Sequence, residues 1–294
     1  VGVITGSGGV TKVGANRLIV TGAYNGTQGW TVNQGTLVFT GNGKHRTGTQ
    51  QTTVNGGPIV DGIPSNVVIY DNDLSALNTR SAGHSVVLNS AHMRLIGNAV
   101  TAVSEVMGGA SLNFGSGYGL VSMESPGAGL TISSNQLARG SGTGLIRGTS
   151  LGQSAAGPGV TNVTLSNSAG ITGSAGETFV GAGGQKLAAG IFPYVLVDPS
   201  VTGQGVSFAT YNATDGNPNA FGVQALSPGN YSPVLPVAGT ANGNQDWNIR
   251  PASALTLSNA SGAEQVTGIN SLTFDTAIVG AALSLDARTT LSLD

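Results

Sequence analysis

The chain has 294 residues, of which 48 are Gly, and only 8 % are Asp, Glu, Lys or Arg. A typical soluble domain carries about 25 % charged residues and about 7 % Gly. The 11 basic and 13 acidic residues give a net charge of −2, and there is no Cys. These values exclude a basic nucleic-acid-binding surface, a disulfide scaffold and a Cys-ligated metal site. No apolar stretch approaches the roughly 20 residues that span a bilayer, so no membrane span is expected.

Short apolar bursts that alternate with polar residues recur along the chain, and each predicts a strand with one buried face. In chain order they occupy residues 17–21, 36–40, 66–70, 129–133, 162–166 and 254–258. Turn dipeptides such as Asn25-Gly26 and Asp61-Gly62 separate them. Gly recurs too often for long helices, and 39 % hydrophobic residues argue against disorder. The sequence therefore predicts an all-β fold.

Three of these bursts are near copies of one another, an aliphatic pair around Thr or Ser followed by Asn. They lie at residues 130–135, 163–167 and 255–259. Such self-similarity favours a repeat architecture over a sandwich, because each unit buries its apolar face by stacking on the next one. We therefore expect a parallel β-helix with inward aliphatic ladders, stacked Asn side chains and Gly at tight corners.

The N-terminal segment carries a more specific pattern. Residues 6–26 read GSGGVTKVGANRLIVTGAYNG, and residues 31–37 read TVNQGTL. This segment resembles the autotransporter-associated β-strand repeat, also called the passenger-associated transport repeat, over residues 5–40. The family pattern has Leu where Val10 stands and Gly where Asn16 stands. The resemblance implies a right-handed β-helix at the cell surface or beyond it, as part of a longer chain.

The C-terminal third is expected to depart from a regular repeat. Seven of the 11 Pro fall between Pro193 and Pro251, and Pro cannot donate to a central ladder. We predict three regions: a β-helix over 1–187, a loop-rich aromatic insertion over 188–251, and further coils over 252–294. The aromatic residues of the insertion are candidate ligand contacts, although buried packing is the commoner role of such rings. These candidates are Phe192, Tyr194, Phe208, Tyr211, Tyr231 and Trp247.

Metal and cofactor chemistry has little support in the sequence. The three His lack the spacing of a zinc enzyme; they are His45, His84 and His92. The basic triplet at residues 44–46 is expected to form a solvated turn. Asp71 and Asp73 flank one Asn and favour an Asx turn over a calcium site, since the EF-hand pattern is missing. We therefore expect no metal site and no cofactor.

One pair of acids offers an enzymatic alternative. Glu105 and Glu124 are 19 residues apart, close to one coil of a β-helix, so stacking would pair their carboxyl groups. Glycosidases use two carboxyls about 5–9.5 Å apart. The surrounding segment has no Lys or Arg and few aromatic subsites. A β-helical polysaccharide lyase or glycoside hydrolase therefore remains the alternative to a protein without a catalytic centre.

The sequence thus predicts a non-catalytic, extracellular or cell-surface structural module that serves as an adhesin, a coat or a fibre subunit. Neither end reads as a natural terminus, so we expect part of a longer product. Two forms stay open. In one form the chain is a rod segment that contacts a surface glycan or a host or cell-surface partner. In the other, unpaired strand edges drive head-to-tail self-association.

Overall fold

A computed structural model gives the fold of the chain. It describes nine segments, which are residues 3–107, 111–167, 190–211, 221–233, 248–257, 265–269, 271–274, 283–285 and 289–293. Strands dominate these segments, and one 3₁₀ turn, Pro228–Asn230, is the helical element in them. None of the described residues belongs to a helix with the length and apolar character needed to cross a bilayer.

The strands are short. The first thirteen are β1 (Val10–Lys12), β2 (Arg17–Val20), β3 (Trp30–Val32), β4 (Thr36–Phe39), β5 (Gln51–Val54), β6 (Ile59–Val60), β7 (Ile63–Pro64), β8 (Val67–Asp71), β9 (Ser85–Asn89), β10 (His92–Ile96), β11 (Val103–Met107), β12 (Leu112–Ser116) and β13 (Tyr118–Glu124). The others are β14 (Leu130–Ser134), β15 (Leu137–Arg139), β16 (Thr143–Gly148), β17 (Thr161–Leu165), β18 (Phe192–Asp198), β19 (Ser207–Tyr211), β20 (Val223–Ala225), β21 (Asn248–Ile249), β22 (Leu255–Leu257), β23 (Gln265–Ile269), β24 (Ser271–Leu272), β25 (Leu283–Leu285) and β26 (Thr289–Leu293).

Three larger sheets contain most of the strands. Their strand orders are β1-β3-β5-β9-β12-β15, β2-β4-β8-β10-β13-β16-β18-β19-β20 and β11-β14-β17. Neighbours are parallel throughout the first and third of these sheets, and from β2 to β18 in the nine-stranded one. Each of the six predicted bursts contains a strand, and the expectation of an almost entirely β chain is confirmed.

The prediction of a right-handed parallel β-helix with an insertion is wrong. The described strands are divided among seven sheets of unequal size, four of which have two strands. β6 and β7 pair antiparallel across Asp61 and Gly62, whose φ angles are 51° and 75°. Two successive positive φ values are typical of a type I′ hairpin turn, which sends the chain back along the strand it has just left. The repeated bursts reflect the alternation that any half-buried strand shows, which does not specify how sheets are joined.

The core of the larger sheets follows from strand alternation. In β8, Val68 and Tyr70 are fully buried, whereas the residues between them are only partly covered. Met93 and Val121 occupy the matching inward positions of β10 and β13, in register with each other and with Val68. Because side chains alternate along a strand, the residues next to these inward positions lie on the opposite face of the nine-stranded sheet.

Stacked asparagines link strand ends. Asn55 donates from Nδ2 to Asn33 Oδ1 at 2.8 Å, and Asn89 donates to Asn55 Oδ1 at 2.9 Å. The buried Asn66 side chain accepts from the Gly35 amide at 2.9 Å and donates to backbone carbonyl groups. The Asn66 amide thus satisfies backbone groups that the ladders leave unpaired, whereas Asn33, Asn55 and Asn89 bond to one another.

The chain divides into two compact units. The first comprises Val1–Gly170, Tyr194–Ala209 and Asn219–Ala225, and the second Ile171–Pro193, Thr210–Pro218 and Leu226–Asp294. The first unit contains β1 to β17 and its own buried core. Four described strands of the second unit, β21, β22, β24 and β25, form two-stranded parallel sheets. The boundaries at 187/188 and 251/252 stay a prediction.

Candidate functional site

A groove of about 450 Å³ lies on the outward face of the nine-stranded sheet, within the first unit. The groove has a polar floor, formed by His92, Arg94, Ser122, Glu124 and Arg147. Apolar side chains add walls from β8, from the β6–β7 hairpin and from the loop after β18; they are Ile63, Val67, Ile69 and Val201. We call this feature the sheet groove.

Strand register brings the polar floor together. Arg94 of β10 is paired with Ser122 of β13, and Ser122 with Arg147 of β16. Residues in register on adjacent parallel strands lie about 4.8 Å apart on the same face. His92 and Glu124 lie two positions from Arg94 and Ser122 on the same strands, so alternation places them on that face too.

A hydrogen-bonded chain orders the centre of the groove. Arg147 donates from Nε to Ser122 Oγ at 2.9 Å and from Nη1 to the Gly203 carbonyl at 3.0 Å. Ser122 Oγ also lies 3.1 Å from His92 Nε2. Ser122 Oγ therefore lies between the Arg147 guanidinium, which donates to it, and the His92 ring.

His92 is neutral over the physiological range. Burial, followed by the positive charges of Arg147 and Arg94, lowers its pKa to about 3. A base this weak does not take a proton from a hydroxyl near neutral pH. Ser122 is 3 % exposed. Ser122 and His92 therefore do not make a nucleophile and its general base.

Arg94 and Glu124 form a bidentate pair at one side of the groove. Nη2 and Oε2 are 2.8 Å apart, and Nε and Oε1 are 2.5 Å apart. The hydrogen bonds that Arg94 donates to Glu124 raise the pKa of Arg94. Both side chains keep about a third of their surface exposed, so the pair is open to the groove and contributes little to stability by itself.

The expected pairing of Glu105 with Glu124 does not occur. Glu105 lies on β11 and is in register with Ile132, whereas Glu124 lies on β13 in another sheet and is in register with Ile96. Glu105 is fully buried and accepts hydrogen bonds from the Ser81 amide at 2.9 Å and hydroxyl at 3.1 Å. A spacing of 19 residues does not match a coil here, because the two strands do not pair.

Burial governs the chemistry of Glu105. It raises the pKa of this carboxyl to about 7, against the opposing effect of the Ser81 and Asn72 hydrogen bonds. Nearby, Arg80 is also fully buried, and its Nε donates to Asn72 Oδ1 at 2.7 Å. These groups form a buried polar cluster with no exposed surface for a substrate.

The prediction of a solvated turn at residues 44–46 is wrong for its central residue. Lys44 and Arg46 are exposed, but His45 is 1 % exposed and its ring lies 4.2 Å from that of Phe39 and 4.4 Å from that of His84. Burial, followed by the charge of His84, lowers the pKa of His45 well below its usual value. The His45 ring packs against aromatic side chains that are distant in sequence. The triplet alone does not predict these contacts.

The Asp71–Asp73 segment forms the expected Asx turn. The Asp73 amide donates to Asp71 Oδ1 at 3.0 Å. Asn72 between them is buried, and its Oδ1 accepts from the Leu77 amide at 3.2 Å. In the part of the chain that the structure describes, no three His, Asp or Glu side chains are grouped to hold a metal ion.

The aromatic ligand candidates differ in their accessibility. Phe192 is fully buried, Tyr194 is 7 % exposed and Tyr231 is 5 % exposed. Tyr194 donates to the Leu137 carbonyl at 2.9 Å. Phe208 and Tyr211 are partly exposed, and Trp247 lies outside the described residues. The buried rings pack inside the protein and offer no face for stacking on a sugar.

Comparison with protein-family models, with curated proteins and with solved structures gave no match to this chain. The function therefore has to be argued from the sheet groove and the buried cluster. Sequence reasoning missed His92, Ser122 and Arg147, which lie on three strands 25 to 30 residues apart. Strand-by-strand alignment of β10, β13 and β16 would have placed them on one face.

Proposed function

We propose that this chain is a non-catalytic structural module of a surface-exposed or secreted protein, related to the autotransporter-associated repeat proteins that its N-terminal segment resembles. Two residues of the resembling segment support this proposal through their contacts. Lys12 donates from Nζ to the carbonyls of Val13 and Gln34, each at 2.9 Å. Tyr24 donates from its hydroxyl to the Gln28 carbonyl at 2.7 Å. Both side chains serve to close turns between paired strands.

The main support for the proposal is that four carboxylates are bonded to other groups of the protein. Glu105 is buried among hydrogen bonds, Glu124 is paired with Arg94, and Asp71 closes an Asx turn. Asp198 accepts from the Ser200 amide at 2.9 Å and from the Gly205 amide at 3.1 Å. Paired acid–base catalysis needs two carboxyls that face the same substrate. Each of these four carboxylates instead accepts hydrogen bonds from other groups of the protein.

Of the two forms of the structural role, the edges of the sheets favour self-association. β1 and β2 are the edge strands of the six-stranded and the nine-stranded sheets. An edge strand presents unpaired backbone groups that another strand can extend. Negative-stain electron microscopy at increasing protein concentration distinguishes filaments, which head-to-tail association predicts, from separate particles, which a module that acts alone predicts.

The absence of catalysis is tested with a panel of acidic and neutral polysaccharides. The folded protein is incubated with each polymer, and new reducing ends and unsaturated products are measured over time against heat-unfolded protein. We expect the two preparations to behave identically. Product formation by the folded protein that is abolished in Glu124→Gln would contradict the proposal and favour a polysaccharide-degrading enzyme.

A further inference from the structure

We propose that the sheet groove binds a carboxylate-bearing sugar, a uronate residue of a glycan, with Arg147 as the anchor of the carboxylate. This inference goes beyond the structural role and does not depend on it. Binding without turnover is compatible with the scaffold, and it is measured separately from product formation.

The first argument is the state of the Arg147 guanidinium. Its side chain is 5 % exposed, and Nε and Nη1 donate to Ser122 and to the Gly203 carbonyl. Nη2 has no hydrogen-bond partner among the described residues, yet it is not one of the atoms sealed from solvent. Arg147 lies in the lining of the groove, which gives Nη2 an accessible direction. A nearly buried guanidinium with an unused N–H is suited to bind an oxyanion.

The second argument is that the protein supplies no carboxylate to Arg147. The one ion pair within 4 Å between described residues joins Arg94 to Glu124. Asp198 is in register with Arg147, but its two oxygens accept the amides of Ser200 and Gly205. Arg147 therefore has no carboxylate in direct contact, and a carboxylate from outside would supply an acceptor for Nη2.

Around the anchor, the groove offers the remaining contacts of a sugar. The Glu124 side chain supplies hydrogen-bond acceptors and the Arg94 side chain supplies donors. Both side chains are about a third exposed. The walls from Ile63 and Ile69 are apolar and suit the C–H face of a pyranose ring. A volume of about 450 Å³ lies within the range of small-ligand pockets.

Arg147 and not Arg94 is where we place the ligand carboxylate. Arg94 is already paired with Glu124, and Asp71 adds a negative charge near Arg94, at the opposite side of β10 from Arg147. Asp198 is in register with Arg147, and its oxygens accept two backbone amides.

The test is calorimetric titration of the whole chain with methyl glucuronoside and with methyl glucoside, which differ only in the carboxylate. We expect the glucuronoside to bind at least 10-fold more tightly, because a charge-assisted pair is worth about that factor. Arg147→Met should lose this preference. Arg17→Met, on the exposed face of β2, should keep it.

Val201→Trp provides a second variant that fills the groove and leaves the Arg147 hydrogen bonds intact. It should abolish binding of the glucuronoside, and its result decides the question if Arg147→Met does not fold. Equal binding of the two sugars, binding unaffected by Val201→Trp, or no binding would each overturn the proposal. Sodium sulfate that binds as tightly as the glucuronoside would show a simple anion site and would overturn the assignment to a sugar.

Discussion

At the scale of single residues, three buried ionisable groups determine how the protein responds to pH. Glu105 is held in its neutral form by burial, and His45 and His84 are held neutral by the same cause. Their effects oppose one another. A carboxyl with a raised pKa favours the folded state at low pH, whereas a histidine with a lowered pKa favours it at high pH.

Glu105→Gln is expected to remove a loss of stability that the wild-type protein shows as pH rises from about 4.5 to about 7. The folded state holds the Glu105 proton up to about pH 7, against a usual value of 4.5. Its stabilising contribution is therefore complete below about pH 4.5 and is lost as pH rises through 7. The wild-type free energy of unfolding should fall relative to that of the variant by on the order of 3 kcal/mol between these limits. Urea denaturation from pH 4.5 to 8 measures this difference.

Asp61→Asn is the control for that series, because Asp61 is exposed in the hairpin turn and Asn accepts its positive φ. Its unfolding free energy should follow the wild-type pH profile. A Glu105→Gln profile parallel to the wild-type profile would contradict the assignment of the loss between pH 4.5 and 7 to this carboxyl.

His45→Phe is expected to protect the fold against acid. The folded state keeps His45 neutral, so below about pH 6.5 the unfolded state binds the extra proton and stability falls. Phe matches the surrounding rings of Phe39 and Tyr70 and does not titrate. The drop in unfolding free energy between pH 7.5 and pH 5 should be smaller in the variant. An equal drop in both proteins would show that other groups cause the acid loss.

At the scale of elements, close packing between neighbouring strands explains part of the high Gly content. A Cβ on Gly29, immediately before β3, would lie 1.9 Å from the Gln51 carbonyl oxygen. At Gly29 the chain approaches β5 too closely to leave room for any side chain. A Cβ on Gly8 would meet nothing within 4 Å, and Gly8 has no positive φ.

Gly29→Ala is therefore expected to destabilise the protein by about 2–4 kcal/mol, because backbone has to move to relieve the overlap. Gly8→Ala is the matched control and should change stability by less than about 0.5 kcal/mol. Thermal unfolding followed by circular dichroism compares the two variants. Similar midpoints for both would mean that β3 and β5 do not approach as closely as described.

Strand positions could be predicted from the sequence, but the joining of strands into sheets could not. Alternation of apolar and polar residues located β2, β4, β8 and β14, since that pattern is a local property. Whether Glu105 stacks on Glu124 depends on which strands pair, and this is not a local property of either strand. The burial of His45 likewise depends on contacts with distant residues. The sheet groove combines both difficulties, because its floor comes from three strands and its walls from a hairpin and a loop.

At the scale of the whole molecule, few charges are present, and those in the described residues mostly serve the structure. Glu105 and Arg80 are buried among hydrogen bonds, Glu124 is paired with Arg94, and Asp198 closes the loop after β18. Active-site residues generally reduce stability, because they are placed for reaction and not for folding. If these carboxylates serve the structure, replacing them should lower the free energy of unfolding.

The most direct test is the free energy of unfolding of Asp198→Ala and Glu124→Gln, measured by urea denaturation at pH 7.5. We expect a loss of about 1–3 kcal/mol for Asp198→Ala, which leaves the amides of Ser200 and Gly205 without their acceptor. The loss for Glu124→Gln should be smaller, because that ion pair is partly exposed. Unchanged or increased stability in both variants would contradict a structural role and indicate carboxylates retained for a reaction.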